Sequence, residues 1–244
     1  MNPSAIGLAV GLILAAVPAM AASNGTLRVL VVTGGHAFEH APFAAMFDSF
    51  SNIVWREVVH PAANAMFAPD KRSSYDVIVL YDMPSTITDQ EKEWFTGALK
   101  AGKGLVALHH SLGSYPDWPE YRHIIGGCYL FKQEAIAGKE YGPSTYHEGL
   151  PLTIHILNTH HPITRGLKDF DIEDEVYGNI WIDPNVHPLI GIDHPESSKI
   201  TGWTHKYDGD RVVYLQSGHG PTAYANESYR KLVHQAILWA GGRS

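Results

Sequence analysis

A histidine-rich stretch follows the apolar run at residues 27–32. In the stretch TGGHAFEHAPF, residues His36, Glu39 and His40 fit the H-x-x-E-H pattern of one class of zinc peptidases. That pattern works only when both histidines lie one turn apart on a regular helix. Two glycines precede His36, and the proline after Ala41 favours the first turn of a helix, so the helix is predicted to begin near Ala41. We therefore interpret the stretch as a strand-to-helix turn that presents all three side chains at the edge of a sheet.

A histidine pair follows another apolar run, in the stretch GLVALHHS. Hydrolases of the α/β class place a serine nucleophile at such a bend, within a G-x-S-x-G motif that this chain lacks. His109 and His110 occupy the bend instead, and the single cysteine, Cys128, lies well beyond it. A histidine pair suits metal binding or general acid–base chemistry. Because side chains alternate along a strand, one histidine of the pair is expected to face the core, and the sequence leaves open which one.

Two further polar stretches contain residue types suited to chemistry. His219 lies between two glycines in LQSGHGPTAY, where small neighbours let the backbone approach a ligand. Asp174 and Glu175 precede Tyr177 in DFDIEDEVYGN. A carboxylate there could ligate a metal, act as a base or bind sugar hydroxyls, and a solvated acidic surface is the alternative. His219 is the most specific histidine signal of the chain.

Aromatic residues crowd the segment 114–149, which is predicted as a long irregular loop with a short helix near 118–125. The segment ends in STYHEGLPL, which holds Tyr146, His147 and Glu148. Its other aromatic residues include Tyr115, Trp118, Tyr121 and Tyr129. Aromatic faces beside histidines and carboxylates suit a carbohydrate ring, although ordinary packing accounts for such residues equally well.

Short apolar runs, typical of buried strands, alternate with amphipathic helical segments. The predicted strands are 27–32, 53–59, 75–81, 104–108, 152–157, 186–192 and 211–216. A capping box formed by Thr88 and Glu91 opens one predicted helix, and 228–240 forms another. This order predicts an α/β fold with a mainly parallel sheet. Because ligands bind beyond the carboxyl ends of such strands, the histidines that follow three of these strands are expected to meet in one crevice.

The composition restricts the partners and the compartment. The 244 residues include 18 Lys and Arg against 25 Asp and Glu, a net charge of −7, with no basic cluster. This balance argues against nucleic acid and anionic lipid as partners. Residues 1–22 are interpreted as an export signal and 23–244 as one domain, so we expect an exported, periplasmic protein without stable membrane insertion. A retained N-terminal anchor is the alternative, because no Lys or Arg precedes the apolar run.

From about residue 27 to 242 the chain resembles the trehalose-utilisation (ThuA-like) family, in the stretches GLVALHHS, HHPITRGL, DEVY, GWTHKYDGDRVVYLQSGHG and YRKLVHQAILWAGG. The resemblance implies a fold like that of class I glutamine amidotransferases, a flavodoxin-like three-layer α/β sandwich with a mainly parallel central sheet. It also implies a role in sugar metabolism, in particular with 3-keto-glycosides that partner oxidoreductases form from trehalose and related disaccharides. The positions that match the family are His40, His109, His110, Asp174, Glu175 and His219. The aromatic loop before His147 is particular to this chain.

These patterns predict a carbohydrate-active hydrolase or lyase that converts 3-keto-glycosides with a divalent metal, zinc being the first candidate. The predicted catalytic residues are His109, His110, Glu175 and His219. The predicted substrate contacts are Glu39, Asp174, Tyr177 and Tyr146, and the predicted metal ligands are His36, His40 and His147.

Two other functions remain open on the sequence alone: a non-catalytic sugar-binding or accessory protein, and a hydrolase of another class that uses Ser111. No nucleotide cofactor is expected, because the two glycines before His36 fall short of the G-x-G-x-x-G fingerprint. A small sugar is the expected partner, and the oligomeric state stays open.

Overall fold

A nine-stranded sheet organises residues 25–243, the part of the chain that this computed structural model describes. The predicted export signal, 1–22, lies outside these residues. The strands are β1 (Leu27–Gly34), β2 (Ile53–Val59), β3 (Val77–Asp82), β4 (Gly104–Leu108), β5 (Gly127–Cys128), β6 (Glu134–Ile136), β7 (Lys139–Tyr141), β8 (Thr145–Ile156), β9 (Phe170–Gly178), β10 (Trp181–Ile182), β11 (His187–Ile192), β12 (Ile200–Tyr207) and β13 (Asp210–Leu215). The α-helices are α1 (His40–Asp48), α2 (Asp89–Lys100), α3 (Pro119–Ile125), α4 (Pro221–Ala225) and α5 (Glu227–Ala240).

The large sheet is parallel at one end and antiparallel at the other. Its strand order is β2-β1-β3-β4-β13-β12-β11-β8-β9. Neighbours are parallel from β2 to β13 and antiparallel from β13 to β9. The predicted mainly parallel sheet is therefore correct for one half and wrong for the other, and the protein is a mixed α/β fold.

Part of the segment that the sequence predicts as an irregular loop forms a strand in the antiparallel half of the sheet. Strand β8 already begins at Thr145, and its first five residues are all exposed. Such a stretch lacks the alternation of apolar and polar residues by which a half-buried strand is recognised. Its pairing with β9 is therefore visible only in three dimensions.

Helices pack on both faces of the parallel half. Along β1, Val29 and Val31 belong to the core cluster that contains residues of α1 and α5, such as Phe43 and Ile237. Leu30, which points to the opposite face, belongs to the cluster that contains residues of α2 and α3. A strand covered on both faces reads as a continuous apolar run, which is why these strands could be predicted. The flavodoxin-like three-layer sandwich as a whole stays a prediction.

The histidine-rich turn is not a peptidase helix. Helix α1 begins at His40, with Glu39 as the preceding cap residue, so the predicted start at Ala41 is correct within one residue. His36 lies in the turn before the helix. The i, i+4 geometry that two zinc ligands of an H-x-x-E-H helix require is therefore absent from this turn.

Helix α2 begins with the predicted capping box. The Glu91 backbone N–H donates to the Thr88 hydroxyl, and the Thr88 N–H donates to the Glu91 carboxylate at 2.8 Å. Thr88→Ala is expected to lower the free energy of unfolding by about 1 kcal/mol, because the Glu91 backbone N–H loses the hydroxyl that accepts from it. Urea denaturation measures this loss. Thr96→Ala, the same change inside α2, is the control, and an equal loss in both variants would contradict a capping role.

No helix within residues 25–243 combines the length and apolar character needed to cross a bilayer.

Candidate functional site

Three side chains from different strands meet beyond the carboxyl ends of β4 and β13. His109 follows β4, Glu175 lies in β9, and His219 follows β13. His109 Nε2 lies 2.9 Å from Glu175 Oε2 and 3.0 Å from His219 Nδ1, and the His219 nitrogen lies 3.2 Å from the same carboxylate oxygen. Among residues 25–243, these three form the one group of histidine, cysteine and acidic residues with ligand spacing for a metal ion. We call them the His–Glu–His cluster.

The backbone holds His109 in one orientation. Its φ of 49° lies in the left-handed region, which costs a non-glycine residue about 1–3 kcal/mol and is typical of functional sites. Its Nδ1–H donates to the carbonyl oxygen of Gln216 at 2.7 Å. A carbonyl can only accept, so the neutral form of this ring keeps its lone pair on Nε2, aimed at the cluster. The Tyr177 hydroxyl lies 3.0 Å from the same nitrogen.

Asp174 brings β9 to the loop that carries His219. Its carboxylate is 4 % exposed and accepts the backbone N–H groups of Gly218, at 2.7 Å, and of His219, at 2.9 Å. It also accepts the N–H of Glu175 at 2.9 Å. Asp174 therefore fixes the backbone of the loop, whereas Glu175 joins the His–Glu–His cluster. The predicted contact of Asp174 with a substrate has no support in this placement.

Of the two glycines beside His219, Gly218 must be a glycine because a core side chain lies against it. Gly218 has a φ of 120°, and a Cβ there would lie 2.1 Å from the hydroxyl of Tyr229. The sequence interpretation was that these glycines admit a ligand. The close neighbour of Gly218 is instead a core tyrosine, so this residue positions His219 by allowing the loop to turn over helix α5.

Charge in the cluster is concentrated on Glu175. Burial raises the pKa of this carboxyl group, but hydrogen bonds with His109 and His219 outweigh burial and hold the pKa well below its usual range. The same carboxylate raises the pKa of His219 through its hydrogen bond, against the opposing effect of burial. Glu175 is therefore ionised at neutral pH, and the cluster is arranged around a fixed negative charge.

The His–Glu–His cluster has a donor set and spacing that could hold a metal ion. With Glu175 ionised, at least one of its three mutual contacts joins two acceptors or, when both rings carry a proton toward the cluster, two N–H donors. Ligand atoms around a tetrahedral zinc ion, with bonds of about 2.0–2.1 Å, lie roughly 3.3 Å apart. The spacings of 2.9–3.2 Å are close to this value. Two histidines and a carboxylate are also a common zinc donor set, which leaves a coordination position open.

His110 has surroundings unlike those of its neighbour His109. Its ring is stacked on that of His36, with centroids 4.6 Å apart, and packs against Tyr81. Neither ring nitrogen has a hydrogen-bond partner among the described residues. Burial, reinforced by the nearby His109 and His36, lowers the pKa of His110 to about 2, so the ring is neutral. Of the histidine pair, His109 joins the cluster, while His110 lines the adjoining cavity.

A cavity of about 240 Å³ opens beside the cluster, and we call it the first cavity. Glu175 and four aromatic residues line it; the aromatic residues are Tyr129, Phe131, Tyr146 and Tyr177. Phe131 is 55 % exposed and Tyr146 is 57 % exposed, so large apolar faces are available at its mouth. Polar groups come from Glu148 and from His36, whose Nδ1–H donates to the Ala37 carbonyl at 2.8 Å and leaves Nε2 free. Aromatic faces with a few polar groups suit a sugar ring.

The three histidines predicted as metal ligands are not grouped by the structure. His40 pairs with Glu57 of β2, and His147 forms an exposed ion pair with Glu196 at 3.0 Å. His36 lines the first cavity without joining the cluster. Glu39, a predicted substrate contact, is exposed at the start of α1. These residues were predicted from the turn after β1, the local residues around His147 and, for His40, the family resemblance, whereas the ligand-spaced group is assembled from distant strands.

The sequence interpretation did not include Phe131, which lines the first cavity, or His60 and Asp82, which lie 2.7 Å apart. Phe131 carries no local signal, since it lies in an irregular, exposed stretch. His60 and Asp82 follow the rule already used for the other histidines, because they lie at the carboxyl ends of β2 and β3. Applying that rule to every strand would have identified both.

Solved structures with the same fold include two putative ThuA-like proteins. The protein from Parabacteroides merdae ATCC 43184 matches with a TM-score of 0.75 and 18 % identity, over 89 % of this chain and 91 % of that one. The protein from Bacteroides uniformis ATCC 8492 matches with a TM-score of 0.65 and 19 % identity, over 92 % and 95 %. At this identity the likeness shows the fold.

A more distant match is a putative GMP synthase protein from Thermoplasma acidophilum, with a TM-score of 0.53 and 11 % identity over 89 % of this chain and 95 % of that one. The amidotransferase-like fold implied by the sequence is compatible with these neighbours. A comparison with curated proteins found no match. The family model for trehalose utilisation, ThuA, matches residues 28–240. The chain belongs to the ThuA family.

Proposed function

We propose that this protein is a carbohydrate-active enzyme that uses a divalent metal at the His–Glu–His cluster to cleave or convert 3-keto-glycosides. One observation carries the proposal: three donor atoms converge within 3.2 Å of one another beside an aromatic cavity. The family's description, trehalose utilisation, supports a sugar as the substrate.

Each residue of the proposed site has a distinct task. His109, Glu175 and His219 would hold the metal, which when bound would polarise a sugar carbonyl and lower the pKa of a bound water. Tyr177 is stacked on the His109 ring, with centroids 5.1 Å apart, and the Gln216 carbonyl accepts from the Nδ1–H of that ring, so both orient this ligand. Tyr146 and Phe131, at the mouth of the first cavity, would pack against the apolar face of the sugar ring.

A base must then come from outside the cluster, since Glu175 is used as a ligand. His36 suits this role, because its Nδ1–H is bound to a carbonyl and its Nε2 keeps a lone pair. The keto group acidifies the neighbouring C–H. In the lyase reaction, the proton passes to His36 Nε2, the C–H electrons form a carbon–carbon double bond, and the glycosidic C–O bond breaks. The departing oxygen takes a proton from water, and the hydroxide that remains takes the proton from His36, which restores the base and balances the reaction. Hydrolysis at the same bond is the other proposed outcome.

A non-catalytic sugar-binding protein is the second candidate. The exposed aromatic side chains Phe131 and Tyr146 favour it, because they would bind a sugar whether or not a reaction follows. Stabilisation of the protein by a keto-disaccharide without formation of product would favour this candidate over the enzyme.

The metal content of the purified full chain tests the proposal. Protein prepared without chelator or tag histidines is expected to hold about one divalent ion per chain. His219→Ala is expected to retain less than about one-tenth of it, because one of three ligands is lost. Elemental analysis by mass spectrometry gives both values.

His147→Ala is the matched control, since His147 also contacts a glutamate but lies in an exposed ion pair. It should keep its metal. An equal loss in both variants would favour the ligand set suggested by the sequence. Metal-free protein in every preparation would overturn the metal-assisted mechanism and leave acid–base chemistry or sugar binding.

A further inference from the structure

A second histidine–carboxylate pair lies at the carboxyl ends of β2 and β3, apart from the His–Glu–His cluster. His60 Nε2 lies 2.7 Å from Asp82 Oδ2, and the two side chains are 8 % and 1 % exposed. The other carboxylate oxygen, Oδ1, has no hydrogen-bond partner among the described residues. We call these residues the His60–Asp82 pair. A buried carboxylate fixes the orientation of the ring that it contacts, so the imidazole is held in one position.

His60 also lines a cavity of about 800 Å³, which we call the second cavity. No described residue bonds to His60 Nδ1. One nitrogen is therefore committed to Asp82, and the other is available to a ligand. A hydroxyl group can both donate and accept, so it can bond to Nδ1 in either tautomer of the ring.

The second cavity has the chemistry of a site for a neutral, hydroxyl-bearing molecule. Its polar walls come from Asn64, Ser85, Thr86, Thr88 and Glu91. The residues that line it include no lysine or arginine, which argues against a phosphate or another anion. Glu91 is already held by the capping box of α2 and adds a second hydrogen-bond acceptor to the wall.

The two cavities adjoin. Met83, Gly113 and Phe131 line both of them. A ligand with two rings could therefore place one ring beside the His–Glu–His cluster and the other beside the His60–Asp82 pair. Phe131, which is more than half exposed, would contact both rings.

We propose that the second cavity is a subsite for a second sugar ring, and that His60 Nδ1 binds one hydroxyl of that ring. This inference rests on the proposed function, in which the first cavity holds the reacting sugar. It adds where the second ring of a disaccharide or a similar two-ring glycoside would bind, and that contacts away from the reacting bond select this ring.

Calorimetric binding of two probes to the full chain, with metal removed by chelator so that no turnover occurs, tests the inference. The probes are trehalose, with two rings, and methyl α-glucoside, with one. The unaltered protein is expected to bind trehalose more tightly. His60→Gln is expected to weaken trehalose binding about tenfold and to leave methyl α-glucoside binding nearly unchanged. Glutamine suits the test because its amide can still donate to Asp82 from the position of Nε2, while the position of Nδ1 is left empty.

His155→Gln is the matched control. His155 Nδ1 contacts Asp169 at 2.8 Å, a pair of similar length, but both side chains are exposed on the antiparallel half of the sheet. This variant should bind both probes as the unaltered protein does. Thr86→Trp provides a second variant that leaves the His60–Asp82 pair intact: Thr86 is exposed at the second cavity, so a large side chain should fill it and block trehalose alone.

Equal affinity of the unaltered protein for the two probes, no binding of either, or an equal effect of His60→Gln on both would overturn the inference. Its failure is separable from failure of the proposed function. Failure of the inference is seen in the binding of unreactive sugars to the metal-free protein. Failure of the proposed function is seen when the metal-loaded protein does not turn over a keto-disaccharide.

Discussion

Glu175→Gln is expected to abolish turnover of keto-glycosides and to weaken metal binding roughly a hundredfold to a thousandfold. Glutamine keeps the size of the side chain but removes the one negative charge of the His–Glu–His cluster. Breaking a buried charge pair costs about 3–5 kcal/mol, and each tenfold change in affinity corresponds to about 1.4 kcal/mol. Competition of the protein with a chelator of known affinity measures the metal binding, and product formation from a keto-disaccharide measures turnover.

Glu148→Gln separates ligation from the general charge of the site. Glu148 lines the same cavity but is exposed and lies outside the cluster. Its replacement should leave metal affinity nearly unchanged. If the two variants lost metal to the same extent, the negative potential of the cavity, and not coordination by Glu175, would account for the binding. A Glu175→Gln protein that retained full turnover would rule out any essential role for this carboxylate.

Asp174→Ala is expected to lower the free energy of unfolding by about 3 kcal/mol or more and to weaken metal binding as well. Three buried N–H groups lose their acceptor, and each unsatisfied group costs about 1–3 kcal/mol, partly recovered if water enters. The loop that carries His219 would then no longer be held against β9. Urea denaturation of the metal-free protein measures the first effect, and chelator competition measures the second.

Asp171→Ala, near the start of β9, is the control. The carboxylate of Asp171 accepts only the hydroxyl of Thr153 on the surface, at 2.7 Å. Its loss should cost no more than about 1 kcal/mol and should not affect metal binding. A loss of stability in Asp174→Ala no greater than that in Asp171→Ala would show that the buried carboxylate does not support the loop.

The parts of the fold and site that could be predicted are those with a local cause. Strands covered on both faces are apolar runs, and the capping box of α2 is readable from Thr88 and Glu91. From the convergence of strand ends, His109 and His219 were predicted to lie close together. This is correct, because β4 and β13 are neighbours in the sheet. Their proposed roles as metal ligands or catalysts stay predictions.

The parts that could not be predicted depend on contacts between distant segments. Glu175 reaches the cluster because β9, far from β4 in the strand order, is held to the end of β13 by Asp174. The family resemblance placed Glu175 among the predicted catalytic residues, but the residues around DEVY do not themselves indicate its contact with His109 and His219. Among the predicted metal ligands, His36 and His147 were chosen mainly on local residues and His40 also on the family resemblance. In the structure His40 pairs with Glu57 and His147 with Glu196.

The position of β9 also links the site to the cooperativity of folding. This strand lies at an edge of the nine-stranded sheet, and edge elements are where local opening tends to begin. Yet it supplies the acidic residue that meets two histidines from the centre of the sheet. A partly unfolded chain with β9 detached would therefore have no complete site, and any ligand bound there would stabilise the closed edge by mass action. The proposed chemistry would therefore be available only to chains in which β9 is docked at the edge of the sheet.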